Sequence, residues 1–202
     1  MKKVYVLLII IGIMFSISVN VQACIEDVPI KDRGPIRMLC DMTLENSSCL
    51  HVYIEGEYST EISSIQMINN EAYLRIKGLD QYTTIINQAI DAWNVQNIVH
   101  LELNDNVYDV EFWIENLGDN GIIARYIYTG DMNVIVLNAY YFDSLSGQDQ
   151  IGVLTHEFGH ALGLDDTLNE ESIMWQGLSE GKSISDLDIR NLQAVIEELG
   201  ND

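Results

Sequence analysis

The chain has 202 residues and carries 10 Lys plus Arg against 31 Asp plus Glu, a formal net charge of −21 at pH 7. Such acidity repels a phosphate backbone, so nucleic acid is not expected as a partner. It suits a solvated surface and would favour cationic substrates.

The chain opens on Lys2 and Lys3, followed by an uncharged, mostly apolar run from Val4 to Ile25 in which Val21-Gln22-Ala23 offers a small-x-small site. Charge, apolar stretch and small residues in that order form a secretory signal. A cut after Ala23 leaves 202 − 23 = 179 residues, enough for one domain with a real core. The expected division is a signal over 1–23, an irregular polar segment over 24–49 and a folded domain over 50–202. Two other readings of the N-terminus stay open. Cys24 directly follows the cut, as in bacterial lipoproteins, and the apolar run is long enough to remain as a membrane anchor. All three put the domain outside the cytoplasm, secreted or held at the outer face. With Cys24 lipidated, Cys40 and Cys49 remain as a pair that an oxidising compartment would close into a disulfide. Two buried free thiols are the alternative.

Regular structure is expected after Cys49. LHVYIEGEY alternates as a strand does, and EAYLRIKG suggests another. In QYTTIINQAIDAWN the apolar residues Tyr82, Ile85, Ile86, Ala89, Ile90 and Trp93 have helical spacing, with Asp80 placed to cap. IVHLEL and VYDVEFWIE read as strands, GIIARYIYTG is ambiguous, and MNVIVLNAYYF is a β-branched, apolar strand leading into the loop DSLSGQ. The last helix runs from Ser185 to Leu199, with Ser185 as N-cap, Asp188 as its capping partner, and Ile189, Leu192, Val195, Ile196 and Leu199 as its buried stripe. This order of strands and helices implies an α+β fold around one mixed sheet.

The chemistry concentrates in THEFGHALGLDD, residues 155–166. On a helix from Asp149 to Leu162, Ile151, Leu154, Phe158 and Ala161 cluster on one side and His156 and His160 lie together on the other. Imidazoles four residues apart sit one turn apart and can share an ion. Glu157 flanks the same face, within reach of a water on that ion. Gly163 can take positive φ and end the helix in a sharp turn, which swings Asp166 back as a third ligand. Zinc with three protein ligands keeps a position for water, and Glu157 can take that water's proton and hand it to a leaving amine.

HEFGHALGLDD resembles the HExxHxxGxxH/D motif of the metzincin metallopeptidases. Histidine is the usual third ligand there, and the snapalysin-type family is similar to this chain in using aspartate. Ser172-Ile173-Met174, with Met174 eight residues beyond Asp166, looks like the metzincin Met-turn. Within that clan matrixins look closest, through INQAIDAWN in the first helix, VIVLNAYYFD before the motif and Ser185-Asp186-Leu187-Asp188-Ile189 opening the last helix. The resemblance covers roughly Leu50 to Leu199. It implies a mixed twisted sheet with a first helix, a zinc-site helix, a Met-turn and a C-terminal helix.

The resemblance also implies a monomeric zinc metalloendopeptidase acting on peptides or proteins. One Zn2+ would be held by His156, His160 and Asp166, with Glu157 as general base and acid and Met174 as floor. Trp175 to Ser183 would wall the pocket for the residue after the cut, and an edge strand within Gly121 to Asp131 would pair with bound peptide. The chain departs from the pattern in places. Trp175-Gln176 follows Met174, so an astacin-like tyrosine is missing; Cys40 sits in MLCDM and not in a cysteine switch; His51 and His100 lack the spacing of a structural zinc site. Ca2+ near Asp119, Asp131 or Asp143 has no support beyond the acids themselves, which read more simply as loop residues. Two rivals remain: a non-catalytic zinc-binding protein on the same scaffold, and a non-haem iron enzyme, since two histidines and a carboxylate also describe that site.

Overall fold

EAYLRIK alternates buried and less buried residues, and it forms the strand through which much of the sheet is organised. The computed structural model describes residues 37–43, 58, 63–128, 133–177 and 181–201, all within a unit spanning Lys31–Asp202. Among these residues the strands are β1 (Arg37–Thr43), β2 (Gln66–Ile68), β3 (Glu71–Lys77), β4 (His100–Leu103), β5 (Val110–Glu115), β6 (Ile122–Tyr128) and β7 (Asn133–Asn138). The helices are α1 (Thr83–Asn94), α2 (Ala139–Phe142), α3 (Gly147–Ala161) and α4 (Asp186–Leu199).

The strands join in one mixed sheet in the order β1-β6-β7-β5-β3-β2, with β4 pairing β3 off that path. β3 runs parallel to β4 and β5, and β5 parallel to β7. β2, β6 and β1 make the antiparallel pairs β2–β3, β6–β7 and β1–β6. A parallel pair needs a long crossover, and α1 supplies it between β3 and β4. Its Ile86, Ala89, Ile90 and Trp93 are buried, as their spacing predicts. Each of the two isoleucines contributes roughly 1.5–3 kcal/mol by leaving water. Trp93 Nε1 donates to the Thr155 carbonyl at 2.9 Å, which ties α1 to α3.

Five elements differ from the sequence expectations. Asp80 does not cap α1; it opens a short 3-10 turn, Asp80–Tyr82, and Thr83 Oγ1 donates to its carbonyl at 3.1 Å. The strand in MNVIVLNAYYF stops at Asn138, whose side chain accepts from Tyr140 N and so starts α2. α3 begins at Gly147, earlier than expected, because Ser146 accepts from Asp149 N. β2 was not anticipated; it pairs with β3 across Asn69 and Asn70, both at positive φ, a turn that asparagine tolerates. Arg37–Thr43 forms β1 within the segment expected to be irregular. The ambiguous GIIARYIYTG resolves as strand β6. Of LHVYIEGEY only Tyr58 is described, as an isolated bridge to Leu164; the rest lies outside the described residues, as do the signal segment, Cys24 and Cys49.

Candidate metal centre

Helix α3 packs on α1 and on β6, the strand with which it has its most extensive contact. Val153, Leu154, Phe158 and Ala161 are fully buried there, and Phe158 meets Phe112 edge-on at 5.9 Å between ring centres. The opposite face, where the histidines lie together as expected, is buried as well: His156, Glu157 and His160 are each 0% exposed. The chain after α3 folds back over that face, so the helix is covered on both sides.

Gly163 makes this return possible. It sits at φ 92°, where a side chain would be strained. Gly163 N donates to the His160 carbonyl at 2.9 Å and Leu164 N to the Gly159 carbonyl at 2.9 Å, the paired bonds of a Schellman ending. The reversed chain brings Asp166 to the two histidines at 3% exposure, while Asp165 stays part-exposed outside the group. Asp166 Oδ1 lies 3.4 Å from His156 Nε2 and 3.7 Å from His160 Nε2, and the two Nε2 atoms are 3.0 Å apart.

These separations bracket those that a bound zinc needs. A tetrahedral ion with ligands at about 2.0–2.2 Å needs ligand atoms roughly 3.3–3.6 Å apart. The histidines are also prepared as ligands. His156 Nδ1 lies 2.9 Å from the Ile173 carbonyl and His160 Nδ1 lies 2.8 Å from the Leu164 carbonyl. A carbonyl can only accept, so each Nδ1 carries the proton and each Nε2 presents its lone pair inward. Burial holds both rings neutral. It lowers the pKa of His156 to about 4, with Lys182 adding to the fall and the Ile173 carbonyl and Asp188 opposing it. Burial, then the neighbouring His156, puts His160 well below the usual histidine range.

Met174 lies directly beneath this helix. A Cβ at Gly159 would stand 2.2 Å from Met174 Sδ, so a side chain between the two histidines would have to displace the methionine. Thr167 N donates to the Met174 carbonyl at 2.9 Å, holding the strand after Asp166 against the Met174 turn. Ser172 Oγ accepts from Met174 N at 2.9 Å and donates to Asp188 Oδ1. Beyond Met174, Lys182 Nζ lies over the Trp175 ring, 3.8 Å from its centre, and burial lowers its pKa.

The family model for matrixins matches residues 80–197, more than half of the chain. The chain belongs to the matrixin family. No curated protein matches it. Family membership points to a zinc metallopeptidase acting on peptides or proteins, and His156, His160 and Asp166 form a buried group that could hold the metal. The curled α+β architecture expected from the resemblance is that of a matrixin.

Other expectations meet the structure differently. β6 is not an open edge in this matrixin, because β1 pairs along it from Arg37↔Tyr128 to Thr43↔Ile122. Asp119 accepts from Tyr141 Oη and Asp143 from Tyr82 Oη, so both acids suggested for calcium are engaged by tyrosines, while Asp131 lies outside the described residues. The Cys40–Cys49 pairing also falls outside them. What the sequence reading missed are the carbonyls of Ile173 and Leu164, the role of Gly159 and the reach of Asp188 beyond its own helix. HEFGH did hold one signal, the glycine between the histidines.

Proposed function

We propose that the protein is an exported zinc-dependent endopeptidase in which His156, His160 and Asp166 hold one zinc ion and Glu157 moves the protons. The observation that carries the reading is the ligand triangle: three inward-facing atoms from buried side chains, 3.0, 3.4 and 3.7 Å apart, with both imidazoles locked in the ligating tautomer. Bound zinc supplies Lewis acidity and makes water a nucleophile near neutral pH. Glu157 follows His156 on the same turn and is shielded from solvent, which strengthens its electrostatic interactions at the reacting centre. It accepts a proton as the water oxygen bonds to the peptide carbonyl carbon. It returns the proton to the amine nitrogen as the C–N bond breaks. Nothing in this scheme needs a serine or cysteine nucleophile.

The presence of Glu157 favours catalysis over a purely binding role, and an oxygenase using iron has no use for it. The N-terminal Lys2-Lys3 and apolar run support export, with Cys24 as the residue for lipid attachment if the cut after Ala23 is of the lipoprotein type. In this reading an extended substrate that pairs with β6 takes the place of β1. The test is a peptide library offered to the mature protein, with a chelator and the Glu157→Gln variant as controls. Metal analysis of the same sample separates zinc from iron.

A further inference from the structure

Lys182 is a cation without an acceptor in a chain where Asp and Glu outnumber Lys and Arg by 31 to 10. Other cations find acids: Arg75 pairs with Asp109 at 2.6 Å and Lys77 with Glu111 at 3.0 Å. Lys182 Nζ is shielded from solvent, and among the described residues no group accepts a hydrogen bond from it. Of the two acids whose charge reaches it, Glu170 and Asp188, the second is already engaged by Ser172, Ile173 and Ser185. Shielding an ammonium that lacks an acceptor is costly, so the fold holds this one there for other reasons than its own hydrogen bonding.

What holds it is an aromatic platform. Nζ stands 3.8 Å from the centre of the Trp175 ring, a cation–π contact. The ring is itself seated: its far edge lies against Gly177, where a Cβ would come within 2.5 Å of Trp175 Cη2. Trp175 directly follows Met174, and its backbone bridges Thr167, the residue after Asp166. The platform therefore begins beside the ligand triangle, and the charge of Lys182 is felt at His156.

We infer that Lys182 is a specificity-determining residue that takes a carboxylate on the departing side of the substrate, next to the bond that is cut. The inference rests on the reading of the protein as a peptidase in which Trp175 to Ser183 wall the pocket for the residue after the cut. An ammonium offers three N–H donors and no acceptor, and a carboxylate is the peptide group that complements it in charge and in lone pairs. That carboxylate has two sources: the side chain of an acidic residue directly after the cut, or the C-terminus of a substrate that ends there. A lysine or arginine side chain in the same place meets like charge, the reverse of what the acidity of the whole chain favours.

The experiment uses the mature full chain with two readouts. The first is kcat/KM on two pairs of peptides. One pair is amidated and differs only after the cut, Glu against Gln; the other ends on a neutral residue after the cut, free carboxylate against amide. Wild type should prefer the carboxylate in at least one pair by about tenfold, the low end for a hydrogen bond to a charged group, and the pair that shows it names the source. Lys182→Met should level the two rates. Lys182→Arg, which keeps a cation over the ring, should retain the preference. Equal rates within both pairs for wild type would overturn the inference, and so would a preference that survives in Lys182→Met. The second readout is the Trp175 indole N–H signal by NMR, as the protein is titrated with Glu-Ala-NH2, Gln-Ala-NH2 or leucine with its free carboxylate. Glu-Ala-NH2 or leucine should shift the signal in wild type and not in Lys182→Met, and Gln-Ala-NH2 should leave it in place. If wild type cuts no peptide, the peptidase reading fails and the titration still judges Lys182: a signal that neither carboxylate moves would overturn the inference.

Discussion

Met174 Sδ occupies the space that a Cβ on Gly159 would need, 2.2 Å away, so the turn carrying the methionine presses against α3 between the two histidines. Both partners are buried, Met174 at 2% exposure. Gly159→Ala must push Met174 aside or shift the helix. Overpacking of this kind costs roughly 1–3 kcal/mol. Thermal unfolding of metal-free Gly159→Ala is expected to show a lower Tm than wild type, and zinc binding is expected to weaken because the Ile173 carbonyl moves with the same turn. An unchanged Tm and affinity would mean that Met174 is free to swing away.

The two aspartates that end the motif are predicted to differ sharply. Asp166 belongs to the ligand triangle and Asp165 does not. Asp166→Ala is expected to lower zinc affinity by more than the roughly 10–100-fold typical of an outer partner. Asp165→Ala is expected to leave it near wild type. Chelator competition on both variants checks this, and the reverse ranking would assign the third ligand to the other residue.

Acid should weaken the metal-free fold through His156. Its pKa falls from an unfolded value near 6.5 to about 4 in the folded protein. Between those values the unfolded chain binds the proton and the folded chain does not, so stability falls as pH falls. The contribution of neutral His156 is fully present above about pH 6.5 and declines toward pH 4. Other acids titrate over the same range, so the comparison is with His156→Leu, which lacks this proton. The Tm difference, wild type minus variant, is expected to shrink on going from pH 7 to pH 4. A constant difference would contradict the buried, neutral state of the ring.

Local signals were legible and nonlocal ones were not. HExxH spacing, Gly163 and the Ser185–Asp188 box each act within one or two turns of chain, and all three stand where expected. The first helix followed from its apolar period. Asp80 failed as a cap because the chain tightens into a 3-10 turn before α1, a choice that one polar residue cannot reveal. The burial of His156 and His160 on the second face of α3 could not be read from helical periodicity, because the covering segment, Ile173 and Met174, is brought there by the fold. The pairing of β1 with β6 joins segments far apart in the chain and left no pattern in either strand. Asp188 carried a local signal for capping, and its bond to Ile173 needed the structure.

The claim that tests the whole account is that Glu157 moves the proton while His156, His160 and Asp166 hold the metal. Zinc content and peptide cleavage should be measured together on Glu157→Gln and wild-type protein. The account predicts wild-type zinc binding with cleavage reduced by at least about 10²–10⁴-fold, the usual contribution of a general acid–base residue. Wild-type cleavage by the variant would contradict it.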